Sequence, residues 1–91
     1  NVTFIILYDG YTVPEKFYEA VLRQVEEIPP ALLPVEKYTL EMLCGDVFWQ
    51  LLTDGEKRMA GRCMAQMVVS GILPLRFAET KHEYPKRYQL L

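Results

Sequence analysis

The sequence is poor in the residues from which most active sites are built. Its 91 residues hold one histidine, two cysteines and one tryptophan. One histidine makes no histidine cluster. Cys44, Cys63 and His82 also lack the short C-x-x-C or H-x-x-x-H spacing of a zinc site, so no metal site is expected. Two cysteines are too few for a disulfide scaffold, and both lie in apolar patterns, which suits reduced thiols in a cytoplasmic protein. A Cys63–His82 nucleophile pair is set aside because Cys63 falls on an apolar helical stripe. Glu26 and Glu27 are adjacent in a helical pattern and point apart, a poor acid–base pair. Gly55 is a lone glycine, far from a G-x-x-x-x-G-K phosphate loop. No apolar run approaches the roughly 20 residues of a membrane span. No basic leader with a cleavage site precedes the first strand, so no signal peptide is expected, and the chain opens on Asn1 rather than Met. Repeats and low-complexity stretches are also missing. The expectation is one domain over residues 1–91, cytoplasmic, with no enzymatic activity, no cofactor and no membrane partner.

What the chain does have is aromatic residues, six Tyr and four Phe, and an uneven distribution of charge. The net charge is −2. Residues 1–54 carry three basic and nine acidic side chains, whereas residues 55–91 carry seven basic and three acidic. An acidic half and a basic half predict a surface with two sides, the basic one suited to a polyanion.

Residues 2–8 (VTFIILY) read as a strand buried on both faces, ended by Asp9-Gly10. Thr12 and Glu15 read as a capping box for a first helix over residues 14–27, with Phe17, Tyr18, Val21, Leu22, Val25 and Ile28 at helical spacing. Pro29-Pro30 stops it. After a connector at 31–37, Thr39 caps a short helix that ends at Gly45, and Asp46 is a candidate cap for a further turn or two, as one kinked helix or two short ones. Thr53 and Glu56 form a second capping box, opening a helix that runs to about Ser70 and ends on Gly71. Its apolar stripe is Met59, Ala60, Cys63, Met64, Met67 and Val68. Gly61 weakens that helix by about 1 kcal/mol relative to alanine, which calls for a reason such as the close approach of another backbone. Alternation at Leu73, Leu75 and Phe77, and again at Tyr84, Lys86, Tyr88 and Leu90, predicts a β-hairpin with its tip at 78–83. Pro74 and Pro85 fit its edges or bulges.

The order of these elements over residues 51–91, with Met67-Val68-Val69-Ser70-Gly71-Ile72-Leu73 as a helix end running into a strand, resembles the winged helix-turn-helix family. The resemblance covers roughly residues 38–91, and the first helix fits the family's first. It implies an α+β, winged-helix-like fold of three to four helices with a C-terminal β-hairpin. The apolar N-terminal strand is an addition to the family pattern, and the short helical segment before residue 53 has no clear register in it.

On the helix opened by Thr53, Arg58, Arg62 and Gln66 fall in one i, i+4, i+8 row, beside the small residues Gly61 and Ala65. Arginine can grip guanine and glutamine adenine by paired hydrogen bonds in the major groove. The free amides of the helix N-terminus suit a phosphate. Lys57, Arg76, Lys81, His82, Lys86 and Arg87 are the candidate phosphate contacts, with His82 adding charge at mildly acid pH. The resemblance implies that the hairpin acts as a wing against phosphates or a neighbouring minor groove. The expectation is a duplex-DNA-binding transcriptional regulator, with a homodimer matching a two-fold site. The alternative is a protein–protein interaction module or inhibitor, of the kind a phage or mobile element encodes. It would use the acidic half and the edge of the N-terminal strand.

Overall fold

The computed structural model describes residues 2–79 and 86–91. In chain order they form β1 (Phe4–Ile6), β2 (Thr12–Pro14), α1 (Glu15–Val25), a 3-10 turn (Pro29–Ala31), β3 (Tyr38–Thr39), α2 (Leu40–Cys44), α3 (Asp46–Gln50), α4 (Asp54–Ser70), β4 (Leu75–Phe77) and β5 (Arg87–Leu90). The fold is α+β, with four α-helices and two antiparallel sheets among the described residues. One sheet is the β1–β2 pair. The other has the order β3–β5–β4, so the last strand is central.

α4 is the axis of the core. Ala60, Cys63, Met64 and Met67 are fully buried on one side of it, with Met59 and Val68 packed at the margin, as the spacing predicts. α1 lies against α4 and contributes Val21 and Val25, and α2 closes the end with Leu40, Leu43 and Cys44. Burial of each large apolar side chain contributes about 1.5–3 kcal/mol. The second sheet covers a further side with Leu75 and Tyr88, and Phe77 stacks obliquely on Tyr88 with ring centroids 5.7 Å apart. Gly71, at φ +77°, ends α4 in the left-handed conformation that glycine adopts without a Cβ penalty. Gly45, at φ +87°, separates α2 from α3, so the segment is two helices and not one kinked helix.

Several expectations need correction. Residues 2–8 are not a strand buried on both faces: β1 is three residues long, and Val2, Phe4, Ile6 and Tyr8 are all more than half exposed. Only the alternate residues turn inward, with Leu7 buried and Ile5 packed against the core. Thr12 caps nothing. It pairs with Ile6 in β2, which brings Val13 opposite Ile5 and into the core, and α1 starts after Pro14 without a side-chain cap. Burial of Val13 thus prevails over a local capping pattern. Asp46 is the first residue of α3, and Gly45 occupies the cap position. No backbone approaches Gly61: outside its own helix, a Cβ added there would meet no atom within 4 Å. Ala65, expected beside Gly61 on the outer surface, is buried. The hairpin gains a third strand, because Tyr38 and Thr39 pair with Tyr88 and Arg87. The expected tip positions Lys81 and His82, and the arm residues Tyr84 and Pro85, lie outside the described residues.

Candidate functional site

The site begins with what fixes α4. Thr53 Oγ1 accepts the Glu56 N–H at 3.1 Å, and Glu56 Oε1 accepts the Thr53 N–H at 2.9 Å. This reciprocal pair and the acids Asp54 and Glu56 in the first turn answer the helix dipole from within the chain. The phosphate expected at this N-terminus therefore meets two carboxylates.

With Ala60, Cys63, Met64 and Met67 turned to the core, Arg58 and Arg62 are set on the outer surface of α4. They stand on a ridge between two depressions. The smaller, about 460 Å3, is bounded by Tyr11, Thr53 and Met59. The larger is an open cleft of about 1100 Å3. Gly61 and Ala65 line it along α4, and Lys57 and Trp49 stand at one end. Lys86 and Tyr88 form the wall on the sheet side. Lys57 Nζ lies 5.7 Å from the centre of the Trp49 ring and Lys86 Nζ 5.6 Å from that of Phe77, distances at which an aromatic face attracts a cation. Asp9, Glu41 and Asp54 also border the cleft, so its charge is mixed.

Arg62 and Gln66 are not bare. The turn that joins β1 to β2 leans on both of them. Arg62 Nη1 donates to Asp9 Oδ2 at 3.1 Å, and its guanidinium carbon sits 4.4 Å from the centre of the Tyr11 ring. The Tyr8 N–H donates to Gln66 Oε1 at 2.7 Å. Gln66 therefore retains its amide N–H groups but not its carbonyl oxygen for the paired contact that adenine requires. Half of the Arg62 side chain remains exposed.

The cations of the second sheet do not converge. Alternation along β5 puts Lys86 on the same side as Tyr88, facing the cleft. Arg76 is exposed in β4 opposite Gln89, on the side away from Leu75 and Leu90. Arg87 pairs with Glu79, which also holds Lys37 Nζ at 3.2 Å. Partial desolvation opposes ionisation of Glu79, but the hydrogen bond from Lys37 and the charge of Arg87 prevail and hold its carboxyl below the usual glutamate value. Of the nine residues singled out in the sequence, Lys57, Arg58, Arg62 and Lys86 thus surround one cleft. Gln66 is bound to the turn, Arg76 and Arg87 belong to the outer side of the sheet, and Lys81 and His82 lie outside the described residues.

The sequence reading missed Tyr8, Asp9 and Tyr11. Asp9-Gly10 signalled a turn, but nothing local signalled a partner 53 residues away. Burial pushes the thiols of Cys44 and Cys63 up, each to about 12, so both are neutral at pH 7. No group of three or more potential metal ligands occurs among the described residues, and no helix among them is long and apolar enough to cross a membrane. No protein-family model matches the chain, and neither does a curated protein or a solved structure.

Proposed function

We propose that this protein is a winged-helix-like transcriptional regulator that binds duplex DNA along the outer surface of α4. One observation carries the reading: Arg58 and Arg62 flank a helix-interior glycine at which an added Cβ would meet nothing within 4 Å outside the helix, and Lys86 lines the same open cleft. A glycine inside a helix is destabilising by about 1 kcal/mol relative to alanine, and it leaves room for a ligand to approach the backbone closely. The element order supports the reading too, since α4 packs on α1 and runs directly into the β4–β5 hairpin. In this reading Arg58 and Arg62 contact bases, Lys57 and Lys86 hold phosphates, and the protein works in the cytoplasm with reduced thiols.

The test is an anisotropy titration of a labelled mixed-sequence duplex at two salt concentrations. Binding should weaken with salt, by a slope of about 0.9 per phosphate contact. Arg58→Ala should weaken it by about 1–3 kcal/mol. Gly61→Leu should abolish it while leaving the melting temperature unchanged or higher, because the new side chain enters open space. Salt-insensitive or undetectable binding by the unaltered protein overturns the proposal.

A second reading rests on a different observation. Val2, Phe4, Ile6 and Tyr8 form an exposed apolar stripe on β1, whose outer edge has no strand partner among the described residues. Such an edge suits addition of a strand from a partner protein or from a second copy. A stable complex captured through this edge, together with absence of DNA binding, would favour the interaction module.

A further inference from the structure

We propose that the turn from Tyr8 to Tyr11 sets which base α4 recognises, with Asp9 and Tyr11 as positioning residues that hold the Arg62 guanidinium ready for the edge of a guanine. The inference rests on the DNA-binding reading above. The Asp9 carboxylate is divided between two tasks. Its Oδ1 accepts the Tyr11 N–H at 3.1 Å, which fixes the turn, and its Oδ2 accepts from Arg62 Nη1 at 3.1 Å. Tyr11, held by the first bond, places its ring against one face of the guanidinium. Gly10, at φ +86°, supplies the left-handed residue that the turn needs, and its N–H closes onto the Leu7 carbonyl at 2.9 Å. The Tyr8–Gln66 bond anchors the same turn one helical turn further along α4. Arg62 is thereby constrained on one face and at one nitrogen, while half its side-chain surface stays open. No bond engages its Nε or Nη2 among the described residues, and these two donors lie on one edge of the guanidinium plane.

A long flexible arginine loses conformational freedom when it docks in a fork with guanine O6 and N7. Here that freedom is already restricted in the free protein. An Arg with a fixed direction reads one base position, whereas a loose one finds any nearby phosphate. Asp9 adds to this selectivity, because its negative charge beside Arg62 opposes a purely phosphate-bound pose. Its removal should therefore affect the two kinds of binding in opposite directions: non-specific affinity rises and base discrimination falls. A residue that only supported the fold would weaken both together.

The experiment is selection from a pool of duplexes with a randomised core, with sequencing of the bound fraction, for the unaltered protein, Asp9→Asn, Tyr11→Leu and Arg62→Lys. Asp9→Asn retains an oxygen for the Tyr11 N–H and so keeps the turn. The unaltered protein should enrich a site with one strongly preferred guanine. All three variants should flatten preference at that same position by about tenfold or more. Asp9→Asn should also bind mixed-sequence duplex more tightly than the unaltered protein. If the unaltered protein enriches a site and Asp9→Asn retains the guanine preference, the role of the turn is overturned and DNA binding stands. If the unaltered protein enriches nothing, sequence-specific readout falls, and this inference falls with it.

Discussion

The two sheets flank the same helix and are attached to it in different ways. The β3–β5–β4 sheet is joined through the core: Leu75 and Tyr88 are buried, and Phe77 and Leu90 pack against the cluster around Met64 and Met67. The β1–β2 sheet sends Leu7 and Val13 into that core and in addition grips α4 through the polar contacts of its turn. Its other face, from Val2 to Tyr8, is open to water. β1 comes from a near-continuous apolar run and β4 and β5 from alternating ones. An apolar run thus identifies a strand, but the surfaces left uncovered by the helices decide how much of it is buried. The first sheet holds fewer stabilising contacts and more exposed apolar surface, which suits contact with something else, whereas the second maintains the fold.

The comparison is sharpest at Leu75. Replacing it with alanine empties a buried position beneath β4, and large-to-small changes of this kind cost about 2–5 kcal/mol. Chemical denaturation of Leu75→Ala should show a loss in that range. A loss under about 1 kcal/mol would mean that the second sheet is no better anchored than the first.

How far the sequence revealed this architecture depended on the range of the interactions involved. The Thr53–Glu56 box, the Thr39 cap, the Gly71 terminus and the Met64–Met67 stripe are local patterns, and each is found where its residues predict. The outward placement of Arg58 followed from the same helical period. β3 was not legible because two residues carry no periodicity. Thr12 was misread because a capping pattern and a strand pattern overlap at 12–15, and pairing with Ile6 decides between them. The Asp9–Arg62 pair and the Lys37–Glu79–Arg87 cluster join segments far apart in the chain, and neither leaves a mark on the residues next to it. The candidate site was therefore legible as a helix face, while the turn that restricts it was not.

The Glu79 cluster gives the second sheet a dependence on pH. Lys37 and Arg87 lower the carboxyl's affinity for protons in the folded state. The folded protein therefore binds fewer protons there than the unfolded chain, and the stabilisation is present above the unfolded glutamate value of about 4.3. It is lost as pH falls through the lowered folded value. Glu79→Gln should melt below the unaltered protein at pH 7, by less than Leu75→Ala does. The gap should narrow as the pH at which both are melted is lowered below that unfolded value. A gap that persists undiminished at low pH would assign the effect to packing and not to charge.

The smallest effect is expected on the exposed stripe. Ile6 is 73% exposed and its side chain lies on the face of β1 opposite Leu7, so Ile6→Ser removes little apolar burial. Its stability should remain within about 0.5 kcal/mol of the unaltered protein, measured at micromolar concentration by thermal melting. The same substitution should leave DNA affinity intact if the turn at Tyr8–Tyr11, and not the face behind it, is what works on α4. A large destabilisation that grows with protein concentration would carry a different meaning. Mass action stabilises a folded chain only when a partner binds it in preference to the unfolded one. The stripe would then be covered in solution by a second copy, pairing edge to edge with no charged side chain between Val2 and Tyr8 to prevent it. The contrast between the two sheets would then be between one closed by the chain itself and one closed by its twin.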